Sequence, residues 1–159
     1  MSLLRDARFD AYVYSNRSHA GRFLGKIAIG KREVVDGLLD MLPKMDRPGC
    51  FGVIEALGYS TEMRDRRVTT LFLKLLDEAD SRQKQLLARF LGEVPVQDEN
   101  VISALYRQLE HRNYYVRLRA GQALCLHTKC DEQVVNDVRE SLPPVSPGAE
   151  EFDDDDSDV

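Results

Sequence analysis

Tryptophan is absent from this 159-residue chain, and its three cysteines and three histidines are too few and too scattered for a metal centre. Cys50, Cys125 and Cys130 form an odd set without metal-ligand spacing, which fits a reducing, cytoplasmic compartment rather than a disulfide framework. Of the three, Cys125 reads as packed filler. His19, His111 and His127 stand apart from one another, no His-Glu dipeptide occurs, and there is no nucleophile elbow, phosphate loop or dinucleotide fingerprint. Enzymatic chemistry and bound cofactors or metals are therefore not expected. Apolar runs are only a few residues long, so no membrane span is expected, and Met1–Asp6 has no apolar segment of the kind a secretory leader needs. Long period-two alternation is missing as well, which argues against strands.

A period is present instead. Phe23-Leu24-Gly25, Ala56-Leu57-Gly58, Phe90-Leu91-Gly92 and Ala123-Leu124-Cys125 place four leucines at intervals of 33, 34 and 33 residues. Self-similarity at this period marks an array of supersecondary units. Further columns agree at the same offsets: Ala20, Val53, Leu87, Ala120; Phe9, Leu42, Leu76, Leu109; Leu38, Phe72, Leu105; and Val34, Val68, Val101. Arg5 breaks the third of these in the first unit, as expected for a terminal repeat. Within a unit the apolar residues recur at helical spacing twice. Val101, Ile102, Leu105, Tyr106 and Leu109 make one stripe, and Val116, Ala120, Ala123, Leu124 and His127 the other. The unit is thus helix–turn–helix, and His127 belongs to its packed stripe.

The turn has a signature too. Asp46, Asp80 and Asn113 occupy equivalent positions suited to cap the second helix, and Arg17, Cys50, Lys84 and Arg117 follow at equivalent places. An acid or amide at the turn, a basic residue four on, then small residues leading to Ala-Leu resembles the HEAT repeat, over roughly residues 3–142. The resemblance implies an all-α fold, a right-handed α-α superhelix of about four helical hairpins. It also implies a ladder between turn acids and basic residues, here partial because Cys50 and Val13 do not fit it.

Asp131–Leu142 reads as a closing helix, stopped by Pro143-Pro144. The expected domain therefore covers residues 1–142, and residues 143–159 form an acidic tail with too few apolar groups to fold. That tail carries seven acids, and leaving them out turns the net charge of −5 into +2.

In such an array the second helices line the inner curve, and three outward columns follow from the offsets: Arg22, Glu55, Arg89, Gln122; His19, Gly52, Leu86, Arg119; and Lys26, Tyr59, Glu93, Leu126. Arginine and tyrosine are enriched at interface hot spots. The expected function is a non-enzymatic scaffold or adaptor that binds another protein through Arg22, Lys26, Glu55, Tyr59, Arg89, Tyr115, Arg119 and Gln122. The alternative partner is nucleic acid, held by Arg22, Arg89 and Arg119 together with the connecting cluster Arg64, Arg66 and Arg67, with the acidic tail as competitor.

Overall fold

The computed structural model describes residues 16, 18–45, 47–60, 65–95 and 98–142, and every regular element among them is helical. Helix α1 covers residues 18–27. It is followed by α2 (Arg32–Met41), a 3-10 turn at Leu42–Lys44, α3 (Arg47–Ser60), α4 (Arg66–Glu78), α5 (Ser81–Gly92), α6 (Glu99–Gln108), α7 (Tyr114–Thr128) and α8 (Glu132–Ser141). Phe9, Arg5, Val13, Arg17, Asp46, Arg64 and the tail at 143–159 lie outside the described residues. The chain divides into two compact units, Met1–Leu71 and Phe72–Val159, the division falling within α4.

Helix starts follow the period of the sequence. α2, α4, α6 and α8 begin at Arg32, Arg66, Glu99 and Glu132, intervals of 34, 33 and 33 residues, and α3, α5 and α7 begin at Arg47, Ser81 and Tyr114, intervals of 34 and 33. The closing helix α8 therefore stands where the first helix of a further unit would start. Its Val134, buried, is the counterpart of the fully buried Val68 and Val101.

In the first unit α2 packs on α3, burying Val35, Leu38, Val53, Ile54, Ala56 and Leu57. Asp65 starts α4: its Oδ1 accepts from the Arg67 amide at 3.0 Å, and its carbonyl accepts from the amides of Val68 and Thr69. In the second unit α7 packs against α5, α6 and α8. Phe72, Leu76, Leu87, Phe90, Leu91, Val101, Leu105, Val116, Ala120 and Leu124 are all sealed from water, each large side chain contributing about 1.5–3 kcal/mol. The Phe72 and Phe90 rings meet at 6.1 Å.

His127 is buried in this core, and its Nε2 lies 2.7 Å from the Leu91 carbonyl oxygen that accepts its proton. Asp80 and Asn113 cap α5 and α7 as their positions require. Asp80 forms a reciprocal box with Gln83, and Asn113 Oδ1 accepts from the amides of Tyr115 and Val116. The basic residues four places on do not reach turn acids. Lys84 Nζ donates to the Asp77 carbonyl at 3.4 Å, whereas Arg117 donates to the carbonyls of His111, Arg112 and Ser141 at 2.7–2.8 Å. The expected ladder is replaced at these two residues by caps on orphan carbonyls, which a cation at a turn also satisfies.

The recurring Leu-Gly pair has a packing cause. An ideal Cβ on Gly25 would come within 2.5 Å of Tyr59 Cβ and 2.8 Å of the Ala56 carbonyl oxygen, and one on Gly92 within 2.8 Å of Ala123 Cβ. Gly25 and Gly92 share one repeat position, and Ala56 and Ala123 another. Each unit thus contains the same close approach between two consecutive second helices, α1 on α3 and α5 on α7, and only glycine leaves room for it.

Candidate interaction faces on the second helices

Two groups of the expected contact residues come together, one in each unit. In the first, Glu55 is buried at 2% exposure rather than facing outward. It is packed under α1, where Ser18 Oγ donates to its Oε2 at 2.6 Å and Arg22 Nη2 stands 3.5 Å from its Oε1. The backbone contact between α1 and α3 explains this correction, because it carries Ser18 and Arg22 over the Glu55 side chain. Gly52, likewise placed outward by the offsets, abuts Gly21 across the same seam. The Arg22 guanidinium also sits 5.7 Å from the centroid of the Tyr59 ring, a cation–π arrangement. Lys26 and His19 are exposed on the same helix. Here Arg22 engages both of the other predicted contact residues, Glu55 and Tyr59, and what the group leaves to solvent is a basic rim.

In the second unit the face belongs to α7. Tyr115, Arg119, Gln122 and Leu126 recur at helical spacing, and all four are exposed, Tyr115 at 47% and Leu126 at 67%. Arg119 Nη1 donates to Gln122 Oε1 at 3.1 Å. The Tyr115 ring packs edge-on against Tyr114 at 5.5 Å, and Arg117 lies 5.8 Å from the Tyr114 ring, so the base of the aromatic pair is held in place. On α5, Arg89 is half-buried and its Nε stands 3.5 Å from Glu93 Oε1. Leu86 is buried instead of outward, because α5 buries residues around most of its circumference, Ser81 and Gln83 among them.

The connecting arginines differ among themselves. Arg67 donates to Asp36 and Asp65, each at 2.7 Å, and its hydrogen bonds hold the Asp65 carboxyl below the usual carboxylate range. Arg66 is exposed. The spacing of basic residues could not show that Arg67 is already neutralised, since Asp36 lies a whole helix earlier in sequence. Leu126 is legible in the sequence as an apolar residue in an outward column, and the structure leaves it exposed.

Among the described residues, no group of three or more His, Cys, Asp or Glu side chains could hold a metal ion, and no helix is long and apolar enough to cross a membrane. Compared with known proteins, the chain matches no family model, no curated protein and no solved structure.

Proposed function

We propose that this chain is a cytoplasmic, non-enzymatic adaptor, a short HEAT-like solenoid of helical hairpins that binds another protein through its second helices. The observation that carries this reading is the α7 face. An arginine and a tyrosine stand beside a leucine that is 67% exposed, on a helix whose opposite side is sealed into the core. Tyrosine and arginine are enriched at hot spots in protein interfaces, and an exposed leucine beside them adds apolar area that a partner can remove from water. Tyr115 and Leu126 supply the apolar anchors, Arg119 and Gln122 the directional polar groups, and Arg89 a charged rim. In the other unit Arg22 and Lys26 offer cations, with Glu55 holding Arg22 in position and Tyr59 supporting it from below.

Nucleic acid is the weaker alternative, since Arg67 is paired with two carboxylates and the body of the chain is only slightly basic. One experiment separates the two. The full chain is used as bait in cell lysate with and without nuclease, alongside a Tyr115→Ala/Leu126→Asp double variant. A protein retained after nuclease and weakened about tenfold or more by the double variant supports the adaptor, tenfold being about 1.4 kcal/mol. Retention that ignores the α7 variant, or that disappears with nuclease, overturns it.

A further inference from the structure

The cysteines play no part in the face just described, yet two of them are brought together by the way α7 ends. The helix stops at Thr128, and Lys129 and Cys130 both adopt left-handed backbone, with φ of 55° and 56°. The Cys130 amide reaches back to the Cys125 carbonyl at 3.0 Å, the six-to-one bond of a helix ending in which the side chains at its two ends meet. Here both of those side chains are thiols. The Cys130 sulfur folds back to 3.8 Å from the Cys125 carbonyl oxygen. The hydrogen bond also bounds the backbone separation. The path from Cα of Cys125 through that oxygen and the Cys130 nitrogen to its Cα spans at most about 7 Å, less when bent, which reaches down into the range a disulfide bridges.

Exposure divides the labour. Cys130 is exposed and Cys125 half-buried; burial, with the neighbouring Cys130 second, pushes the Cys125 thiol up. Cys50 belongs to the other unit, its thiol directed at the carbonyls of Leu42 and Met45.

We propose that Cys125 and Cys130 are a peroxide-modified dithiol that closes into a reversible disulfide across the C-terminus of α7. The exposed Cys130 thiolate attacks one oxygen of hydrogen peroxide; the O–O bond breaks, hydroxide leaves and takes up a proton as water, and a sulfenic acid remains on Cys130. Cys125 then gives up its proton and attacks that sulfur, the S–O bond breaks, and a second water departs. Two thiols are oxidised and one peroxide is reduced to two waters. The bond would pin the Lys129–Asp131 turn, and with it the entry into α8.

Trypsin provides the test, because Lys129 lies between the two cysteines and cleavage places them on separate peptides, residues 120–129 and 130–139. The reduced full chain is treated with hydrogen peroxide, its remaining thiols are blocked, and the digest is read by mass spectrometry. The expected result is one joined pair of these peptides, lighter than their sum by two hydrogens and separated by dithiothreitol. It should persist in Cys50→Ser and be lost in Cys125→Ser, where dimedone should instead trap the sulfenic acid on Cys130. Two separate peptides with Cys130 carried on to the sulfinic acid would overturn the proposal. So would linkage to Cys50, or linkage only between two molecules on a non-reducing gel.

Discussion

Helices α1 and α7 occupy the same place in the repeat and have opposite fates. Phe23, Leu24 and Ile27 on α1 are 66%, 45% and 51% exposed, whereas their counterparts Ala123, Leu124 and His127 on α7 are 2%, 0% and 4% exposed. Leu24 and Leu124 are the same residue at the same repeat position, so side-chain chemistry cannot account for the difference. Neighbours do. α7 is enclosed by α5, α6 and α8, whereas the side of α1 that is buried is the one at Gly21 and Gly25, against α3. A leucine at a recurring position is a core residue only when neighbouring helices enclose it.

A charge placed at these positions should have the largest effect. Leu91→Asp and Leu124→Asp should each cost about 4 kcal/mol or more, since an unpaired carboxylate cannot be hydrated in a sealed core. Thermal unfolding followed by circular dichroism should lose its cooperative transition. Leu57→Asp should do the same to the first unit, whereas Leu24→Asp should keep the cooperative transition and destabilise by about 1 kcal/mol or less. A Leu91→Asp protein that melts like the parent would refute the column alignment. A collapse on Leu24→Asp would instead mean that residues 1–13 or a second molecule cover α1 in solution.

Glycines sharpen the same contrast at intermediate size. Gly92→Ala sets a methyl 2.8 Å from Ala123 Cβ, and overpacking of this kind costs about 1–3 kcal/mol. Gly37, exposed within α2, would meet nothing within 4 Å, so Gly37→Ala should stabilise by about 0.4–1 kcal/mol. Urea unfolding of the two variants should move in opposite directions. Equal shifts would mean that the seam between α5 and α7 is looser than its geometry.

Much of this was legible in the sequence because a period is a global signal. The 33- and 34-residue intervals gave the helix starts, the caps at Asp80 and Asn113, and buried columns such as Phe72 and Leu105. What the period could not convey is which side of a second helix meets its neighbour's backbone. Glu55 shares an outward column with Arg22 and Gln122, yet it is buried because Gly21 and Gly25 let α1 come close enough to cover it. Arg67 reads as a free cation until folding brings Asp36 alongside. Both misplacements arise from contacts 31–37 residues apart, a separation that helical spacing within one stripe does not encode.

Arginines on the two faces make the next test. Arg22 compensates the buried Glu55 carboxylate, so Arg22→Ala should destabilise by about 1–2 kcal/mol. That is less than the ~3–5 kcal/mol for a fully buried pair, because the arginine itself is 45% exposed. Arg119 is exposed and its Nη1 donates to Gln122 Oε1 at 3.1 Å, so Arg119→Ala should leave stability within about 0.5 kcal/mol. Unfolding midpoints that rank the other way would show Arg119, not Arg22, to be the structural arginine.

The smallest effects concern pH, and they carry opposite signs in the two units. In the second unit Tyr106 has its phenol pushed up, first by burial and then by the nearby charge of Asp137. A group raised in the folded state contributes stability that is complete below its unfolded value, about 10 for tyrosine, and is lost as pH climbs through the folded one. In the first unit Asp65 is lowered, chiefly by the side-chain hydrogen bond from Arg67. Its contribution is present above the ordinary carboxylate value of about 3.9 and fades as pH falls through the folded one. Tyr106→Phe should therefore flatten the alkaline limb of a stability–pH curve and leave the acid limb alone, while Asp65→Asn should do the reverse. Urea midpoints measured across both limbs would check it, and a Tyr106→Phe curve superimposable on the parent's above pH ~10 would remove Tyr106 as the source of the alkaline loss.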